Sequence, residues 1–418
     1  MSWEKIKLKD CCISIADGDH QPAPKSEQGI KFIKIKDIRN NTISFSEALF
    51  VPVEYYRKLQ SDRKPQRNDV LYSVVGSFGL SAFVNTDDSF CFERNIALLR
   101  PKNNIIPKFL YYAVSAPDFY NQANNAAIGA AQKLISLTRL KEMMIPYPPI
   151  KKQQRIADIL SAYDDLIENH QKQIKLLEEA AQRLYKEWFV DLRFPGYEHT
   201  KIVDGVPEGW DNVPLKKVVS YEIGGGWGED VITGKSDYPG FVIRGTDIDG
   251  IKRGELLSIP YRFHAQGNLA SRKLQDGDIV FEVSGGSKNT GVAKTLLITK
   301  SLLEMWKDPV ICASFCKLMR FDKPQIAQYI YDSLQYWRAV GETEEYEKKS
   351  ASSIINYRWK DFLEQKYVLI PDQEILQKYY AMSSSLYKQA VIYAITISRA
   401  TLSRDHLLPR LMSREVEV

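Results

Sequence analysis

Hydrophobic side chains recur at alternating spacings of four and three between residues 156 and 188. The positions are Ile156, Leu160, Tyr163, Ile167, His170, Ile174, Leu177, Ala181, Leu184 and Trp188. That alternation is the signature of a helix packed along one narrow stripe. A helix of about 40 residues at 1.5 Å per residue reaches roughly 60 Å. A single globular domain rarely needs such a rod, so here it reads as a spacer between two halves of one chain. A second, weaker seam follows near the end, with Ile375, Tyr379, Met382 and Leu386, then Tyr393, Ala400 and Leu407. Gln389, Thr396 and Ser403 fill its in-register positions. Neither stripe can stay in water, and the economical solution is to pack each on the other. One helix out and one back give an antiparallel pair and an approximate internal two-fold axis. His170, the strongly polar member of the first seam, reads as a register device rather than a ligand.

The halves flanking the rod repeat each other. Trp3-Glu-Lys-Ile-Lys-Leu8-Lys9 returns as Trp210-Asp-Asn-Val-Pro-Leu215-Lys216, 207 residues on. Phe32-Ile-Lys-Ile-Lys-Asp37-Ile38 returns as Phe241-Val-Ile-Arg-Gly-Thr-Asp247-Ile248, and Asn68-Asp69-Val70-Leu71-Tyr72 returns as Gly277-Asp278-Ile279-Val280-Phe281. Each half closes alike: a short helix, then Ile145-Pro146-Tyr-Pro148-Pro149 or Leu369-Ile370-Pro371, then a long helix. Proline just before a helix fixes φ at no cost in hydrogen bonds. A turn-rich linker from Phe194 to Gly209 places the boundary between the halves near residue 195. Strand words fall at 30–35, 70–75, 79–84, 95–100, 240–244, 278–284, 291–298 and 312–319. Helical words fall at 107–124, 137–143, 323–338 and 357–364. The expected class is α+β. The expected domains are 1–149, a spacer helix over 150–192, a linker with the second domain over 193–371, and a second spacer helix with the tail over 372–418.

Chemistry is hard to find. The glycine-rich run Gly224–Gly228 leading to Gly234-Lys235-Ser236 ends like a phosphate-binding loop, but five residues, not four, separate Gly228 from Gly234. A flexible loop is the better reading. Gly76-Ser77-Phe78-Gly79 and Gly285–Gly291 occupy matching places after a strand. Their amides could approach phosphates, or each could be a plain tight hairpin. Cys312 and Cys316 have no second pair and no nearby histidine, which argues against zinc and for core positions in a strand. Cys11, Cys12 and Cys91 complete a sparse set, typical of a reduced, cytoplasmic chain. There is no signal-peptide pattern and no run of about 20 apolar residues, so no membrane is expected. Tyr147-Pro148-Pro149 lacks the acidic or amide residue that adenine methyltransferases place before paired prolines.

The chain carries 57 basic and 52 acidic residues, and the excess lies in residues 1–149, with 20 against 15. Two similar modules at a fixed separation, the first mildly basic, suit a ligand that repeats in space, and duplex DNA repeats every 3.4 Å along each strand. Arginine, lysine, asparagine and glutamine can read base edges, while phosphate contacts only position. The candidates in the first half are Arg57, Lys58, Arg63, Lys64, Arg67 and Ser77, beside Tyr55 and Tyr56. In the second half they are Arg244, Lys252, Arg253, Arg262, Arg272, Lys273, Lys288 and Asn289.

These residues resemble the specificity subunit of a type I restriction–modification system, over essentially the whole chain. The resemblance is carried by Gln132-Lys-Leu-Ile-Ser136, by Ile145 through Gln153-Gln154-Arg155-Ile156-Ala157, by Leu176 through Trp188-Phe189, and by Arg404-Asp405-His-Leu407-Leu408-Pro409-Arg-Leu411-Met412. Members usually have Glu-Gln after the double proline, where this chain has Gln153-Gln154. The resemblance implies two target recognition domains, each reading one half of a split, asymmetric site on double-stranded DNA. It implies helices that dock two modification subunits methylating adenine at N6. Restriction subunits with ATP-driven translocation would complete the assembly. S-adenosylmethionine, ATP and magnesium would sit on those partners, with no cofactor or metal on this chain. The competing readings are a divergent nuclease or methyltransferase with its own active site, and a scaffold with no role on DNA.

Overall fold

The computed structural model describes residues 2–39, 41–76, 79–128, 133–285, 291–349 and 354–418. The chain divides into two compact units. Unit 1 is Met1–Asp165 with Thr401–Val418, and unit 2 is Leu166–Ala400.

Unit 1 holds three principal sheets. Lys5–Lys7 pairs antiparallel with Met144–Pro146. A four-stranded sheet runs in the order Cys12–Asp17, Ile96–Pro101, Val70–Ser73, Ser81–Phe83. A three-stranded sheet runs Leu49–Val51, Ile30–Ile33, Phe90–Phe92, its second pair parallel. Unit 2 reproduces this strand for strand. Asp211–Pro214 pairs with Tyr367–Ile370. The four-stranded sheet is Tyr221–Gly224, Cys316–Arg320, Ile279–Glu282, Thr295–Leu297, and the three-stranded sheet is Tyr261–His264, Tyr238–Ile243, Val310–Cys312, again with a parallel pair. The sequence repeat is therefore a repeat of fold.

The recurring words earn their place through buried aspartates. Asp69 is 3% exposed and takes a two-pronged hydrogen bond from Arg100, at 3.0 and 2.8 Å. Asp278 takes the same fork from Arg320, at 2.7 and 2.8 Å. Each also accepts from the backbone N–H three residues earlier, at Gln66 and at Gln275. The turn before each aspartate needs a left-handed residue, supplied by Asn68 (φ 78°) and by Gly277 (φ 86°). Those residue types adopt that conformation at least cost. Asp37 and Asp247 close a second matched turn, accepting from the N–H groups of Lys34 and Arg244 at 2.9 Å.

Two expected elements are divided. The helical word over 107–124 is two helices, Pro107–Ser115 and Pro117–Ala126, because Pro117 holds Ala116 extended at ψ 147°. The strand word over 312–319 spans the end of Val310–Cys312 and most of Cys316–Arg320, which lie in different sheets. All five cysteines are free and buried, Cys312 and Cys316 completely.

The two seams form long helices, α1 (Ile150–Tyr185, 36 residues) and α2 (Gln373–Ser413, 41 residues). A π-turn, Lys186–Val190, continues α1 and turns both Trp188 and Phe189 inward. Within unit 1 the start of α1 shares a core with the end of α2: Ile156 and Leu160 join Leu408, Leu411 and Met412. Within unit 2, Ile174, with Ile167 and Leu177 at its edge, packs on Ala390, Ala394 and Ile397. Trp188 lies 5.8 Å from Tyr379, and Leu184 and Ile375 belong to the same aromatic core. The pairing is antiparallel. His170 stacks on Tyr393 at 4.5 Å, a packing role inside the seam. Tyr163 and Leu386 are half-buried. Met382 departs from the stripe and is 50% exposed. Ser383 takes the inward place and donates to buried Asp332 on the helix Pro324–Ala339. The reason is that α2 has two faces to satisfy in unit 2, since Val391 and Ile395 enter the core of the sheet domain. A helix with two partners cannot keep a single heptad stripe.

Candidate nucleic-acid interface

In unit 1 the basic stretch begins on the short helix Val53–Lys58 and continues through the turn Ser61–Arg63. Arg63 points inward, with Nη1 3.4 Å from Asp19 and Nη2 3.7 Å from Asp17. The Tyr55 hydroxyl donates to Asp19 as well, at 3.1 Å. Lys64 lies over the Tyr56 ring at 5.3 Å and donates to the Arg57 carbonyl. Arg67 is exposed but forks onto Asp87 at 2.9 and 2.7 Å, and that hydrogen bonding holds the Asp87 carboxyl below its ordinary range. Arg57 and Lys58 are exposed, with no side-chain partner among the described residues.

Unit 2 treats its cations in the same way. Arg244 is clamped to Asp247, at 2.9 and 2.7 Å. Lys252 is partly buried, donates to Gln335 at 3.2 Å and lies 5.6 Å from the Tyr331 ring; desolvation pushes its ammonium below the ordinary lysine range. Arg253 is exposed, 3.8 Å from Glu255. Arg262 pairs with Asp230 and lies 4.3 Å from the Trp227 ring. Arg272 donates to the Gly224 carbonyl at 2.9 Å. Lys273 is exposed and without a side-chain partner among the described residues. Ser77, Lys288 and Asn289 lie outside the described residues.

The runs of arginine and lysine thus serve two ends. Most are held by carboxylates or carbonyls and shape the loops. Arg57, Lys58 and Lys273 keep a whole cation for solvent or an anionic ligand. A clamped arginine is not spent: Arg67 engages Nε and Nη2, which leaves Nη1 to donate outward.

The glycine-rich loop is pinned. The Gly225 N–H donates to the Cys316 carbonyl, and that of Gly226 to Cys312, both at 2.9 Å. A Cβ at Gly225 would lie 2.0 Å from the Ala313 carbonyl oxygen, so only glycine fits there. After Gly234-Lys235-Ser236 the chain enters the strand Tyr238–Ile243 rather than a helix, which removes the dipole a phosphate loop uses. The pinned loop also presents side chains that charge counting overlooks: Trp227 is 39% exposed, and Val231 and Ile232 are 66% and 65% exposed. Phe315, in the turn between Val310–Cys312 and Cys316–Arg320, is 61% exposed. Their signal in the sequence was large apolar residues set among turn formers. Among the described residues no cluster of histidine, cysteine and carboxylates suits a metal ion, and no helix is long and apolar enough to cross a membrane.

Comparison with known proteins adds to this geometry. A family model described as the type I restriction modification DNA specificity domain matches residues 1–179. The type I restriction enzyme MjaIX specificity subunit of Methanocaldococcus jannaschii is 27% identical over 448 residues, spanning 100% of this chain and 94% of its own. The EcoBI specificity subunit of Escherichia coli is 30% identical over 153 residues, 35% of this chain and 32% of its own. Among solved structures, the S subunit of a type I restriction–modification system from M. genitalium has a TM-score of 0.57 at 16% identity, covering 98% of this chain and 96% of its own.

Proposed function

We infer that this chain, a homologue of the type I restriction–modification specificity subunits, is the DNA sequence-recognition component of such a system. The observation that carries the reading is the duplicated fold: two units with the same strand orders, the same paired aspartate–arginine clamps and different loops. A duplicated reader fits a target with two half-sites, while different loops fit half-sites of different sequence. In unit 1 the exposed cations Arg57 and Lys58 would take phosphates. In unit 2 Lys273 would do the same, and the pinned loop around Trp227 would face the groove.

The helices α1 and α2 would set the unread spacing and offer their outer faces to modification subunits. Two such subunits, each with S-adenosylmethionine, would methylate adenine at N6. ATP- and magnesium-dependent restriction subunits would bind to that core. On this reading residues 1–149 and 193–371 are the target recognition domains. The deciding experiment is methylation mapping in cells that express the chain with its modification partner. A bipartite motif methylated on both strands is expected. Methylation without the chain, or at scattered sites with it, would refute the reading.

A further inference from the structure

In each unit a three-residue connection joins the three-stranded sheet to the four-stranded one: Glu93-Arg94-Asn95 in unit 1 and Ala313-Ser314-Phe315 in unit 2. The two share one backbone. The Ile96 N–H donates to the Glu93 carbonyl at 3.1 Å, and the Cys316 N–H to the Ala313 carbonyl at 2.8 Å. The Val74 N–H donates to the Asn95 carbonyl at 2.8 Å, and the Val283 N–H to the Phe315 carbonyl at 2.9 Å. A glycine closes on each turn. A Cβ at Gly18 would lie 2.4 Å from the Phe92 carbonyl oxygen and 2.7 Å from the Arg94 nitrogen, as one at Gly225 would meet the Cys312 and Ala313 carbonyl oxygens. The frame repeats, but the side chains it presents do not. Unit 2 shows Ser314 and Phe315, both exposed. In unit 1 Arg94 is exposed, and its guanidinium has no partner among the described residues. The carboxylates nearby are taken by others. Asp17 lies 3.1 Å from His20 and 3.7 Å from Arg63, Asp19 takes the Tyr55 hydroxyl and Arg63, and Glu93 accepts from the Ile35 N–H at 2.7 Å. Charge counting passed over Arg94 because no other cation adjoins it in the sequence.

We propose that Arg94 reads a guanine in the half-site of unit 1, its guanidinium forking onto O6 and N7 in the major groove. A planar guanidinium with all its donors free is the group that meets those two acceptors at once. Its position agrees. Asp19 forms a bridge with Glu93 and also takes the hydroxyl of Tyr55, whose helix Val53–Lys58 carries the phosphate candidates Arg57 and Lys58. Base reader and phosphate anchors therefore share one edge of unit 1, the anchors positioning and Arg94 specifying. The turn itself is pinned at Glu93, Asn95 and Gly18, so that only the arginine side chain has to be ordered on binding. The matching turn of unit 2 offers no cation. Phe315, 61% exposed there, suits apolar contact of the kind a thymine methyl provides. One frame with exchanged side chains is what two half-sites of different sequence require.

The assignment rests on the reading of the chain as a DNA-recognition subunit, and the experiment separates the two. Methylation is mapped in cells that express the full chain with its modification partner, as wild type, Arg94→Ala and Arg94→Lys. The wild type should show a guanine–cytosine pair in the half-site that follows residues 1–149. Arg94→Ala should relax that one pair, lowering the preference for guanine by roughly tenfold or more, with the remaining positions and the other half-site unchanged. Arg94→Lys keeps donors for the same acceptors and should retain guanine there with a weaker preference. If the alanine variant fails to assemble, the lysine variant carries the same test. A motif unchanged in both variants, whether methylated fully or uniformly less, would overturn the proposal, because a phosphate contact or a solvated side chain leaves specificity intact. A unit 1 half-site without a guanine would overturn it as well. If the wild-type chain directs no bipartite motif, the reading itself falls.

Discussion

Asp332 is the residue most at odds with its surroundings. It is 2% exposed on the helix Pro324–Ala339 and accepts from Tyr379 at 2.7 Å, from Gln328 at 3.1 Å and from Ser383. Burial pushes its carboxyl up to about 6, against an ordinary value of 3.8. A raised carboxyl is charged in the unfolded chain before it is charged in the fold. Above pH 6 the native state therefore bears the cost of the buried charge, and as pH falls from 6 to 4 that cost is relieved. The group should make the protein about 2 kcal/mol more stable at pH 4 than at pH 8, other groups aside. Asp332→Asn keeps an acceptor for the hydroxyls, and its melting temperature should vary less over that window than the wild type's. Equal pH slopes in the two proteins would contradict this account. A second prediction concerns Arg57 and Lys58. Their joint replacement by alanine should weaken DNA binding by the assembled complex and reduce the slope of log affinity against log salt by about two, leaving the methylated motif unchanged. Sequence reasoning named these two cations together with Arg63 and could not tell them apart, because the Arg63 partner Asp19 lies 44 residues away in the chain.

At the scale of elements, the first seam was legible because its helix has one dominant partner. The second was legible only in part. Its period broke at Met382 because Ser383 and Tyr379 answer Asp332, 47 to 51 residues earlier. The contact between α2 and the sheet domain was invisible in the sequence. Gly254, at φ 91°, lies against α2 so closely that a Cβ would come within 2.7 Å of the Ala394 carbonyl oxygen and of Ile397. Gly254→Ala should lower stability by about 1–3 kcal/mol, read as a fall in melting temperature of the full chain. An unchanged melt would mean that the contact yields without cost. Deleting one heptad from each helix removes about 10 Å of rod, or roughly three base pairs of duplex. The mapped motif should lose about that many unread bases and keep both half-site sequences. Altered half-sites would end the idea of a ruler.

For the whole molecule, exchanging residues 1–149 for the corresponding region of one of the similar specificity subunits should change one half-site only, again read by methylation mapping. The duplication was open to sequence analysis because it rests on local rules. Asp69 and Asp278 need a left-handed residue before them and an arginine across the sheet, and both requirements leave words in the chain. The long helices were open because a period needs only spacing. What tertiary structure alone decided was which charges remain available, which glycines are pinned, and which tryptophan is capped. Trp3 and Trp210 begin the same word, yet Phe194 covers one while a groove opens beside the other. Periodicity and propensity act between near neighbours, whereas exposure and ion pairing are settled by groups that meet only once the chain has folded.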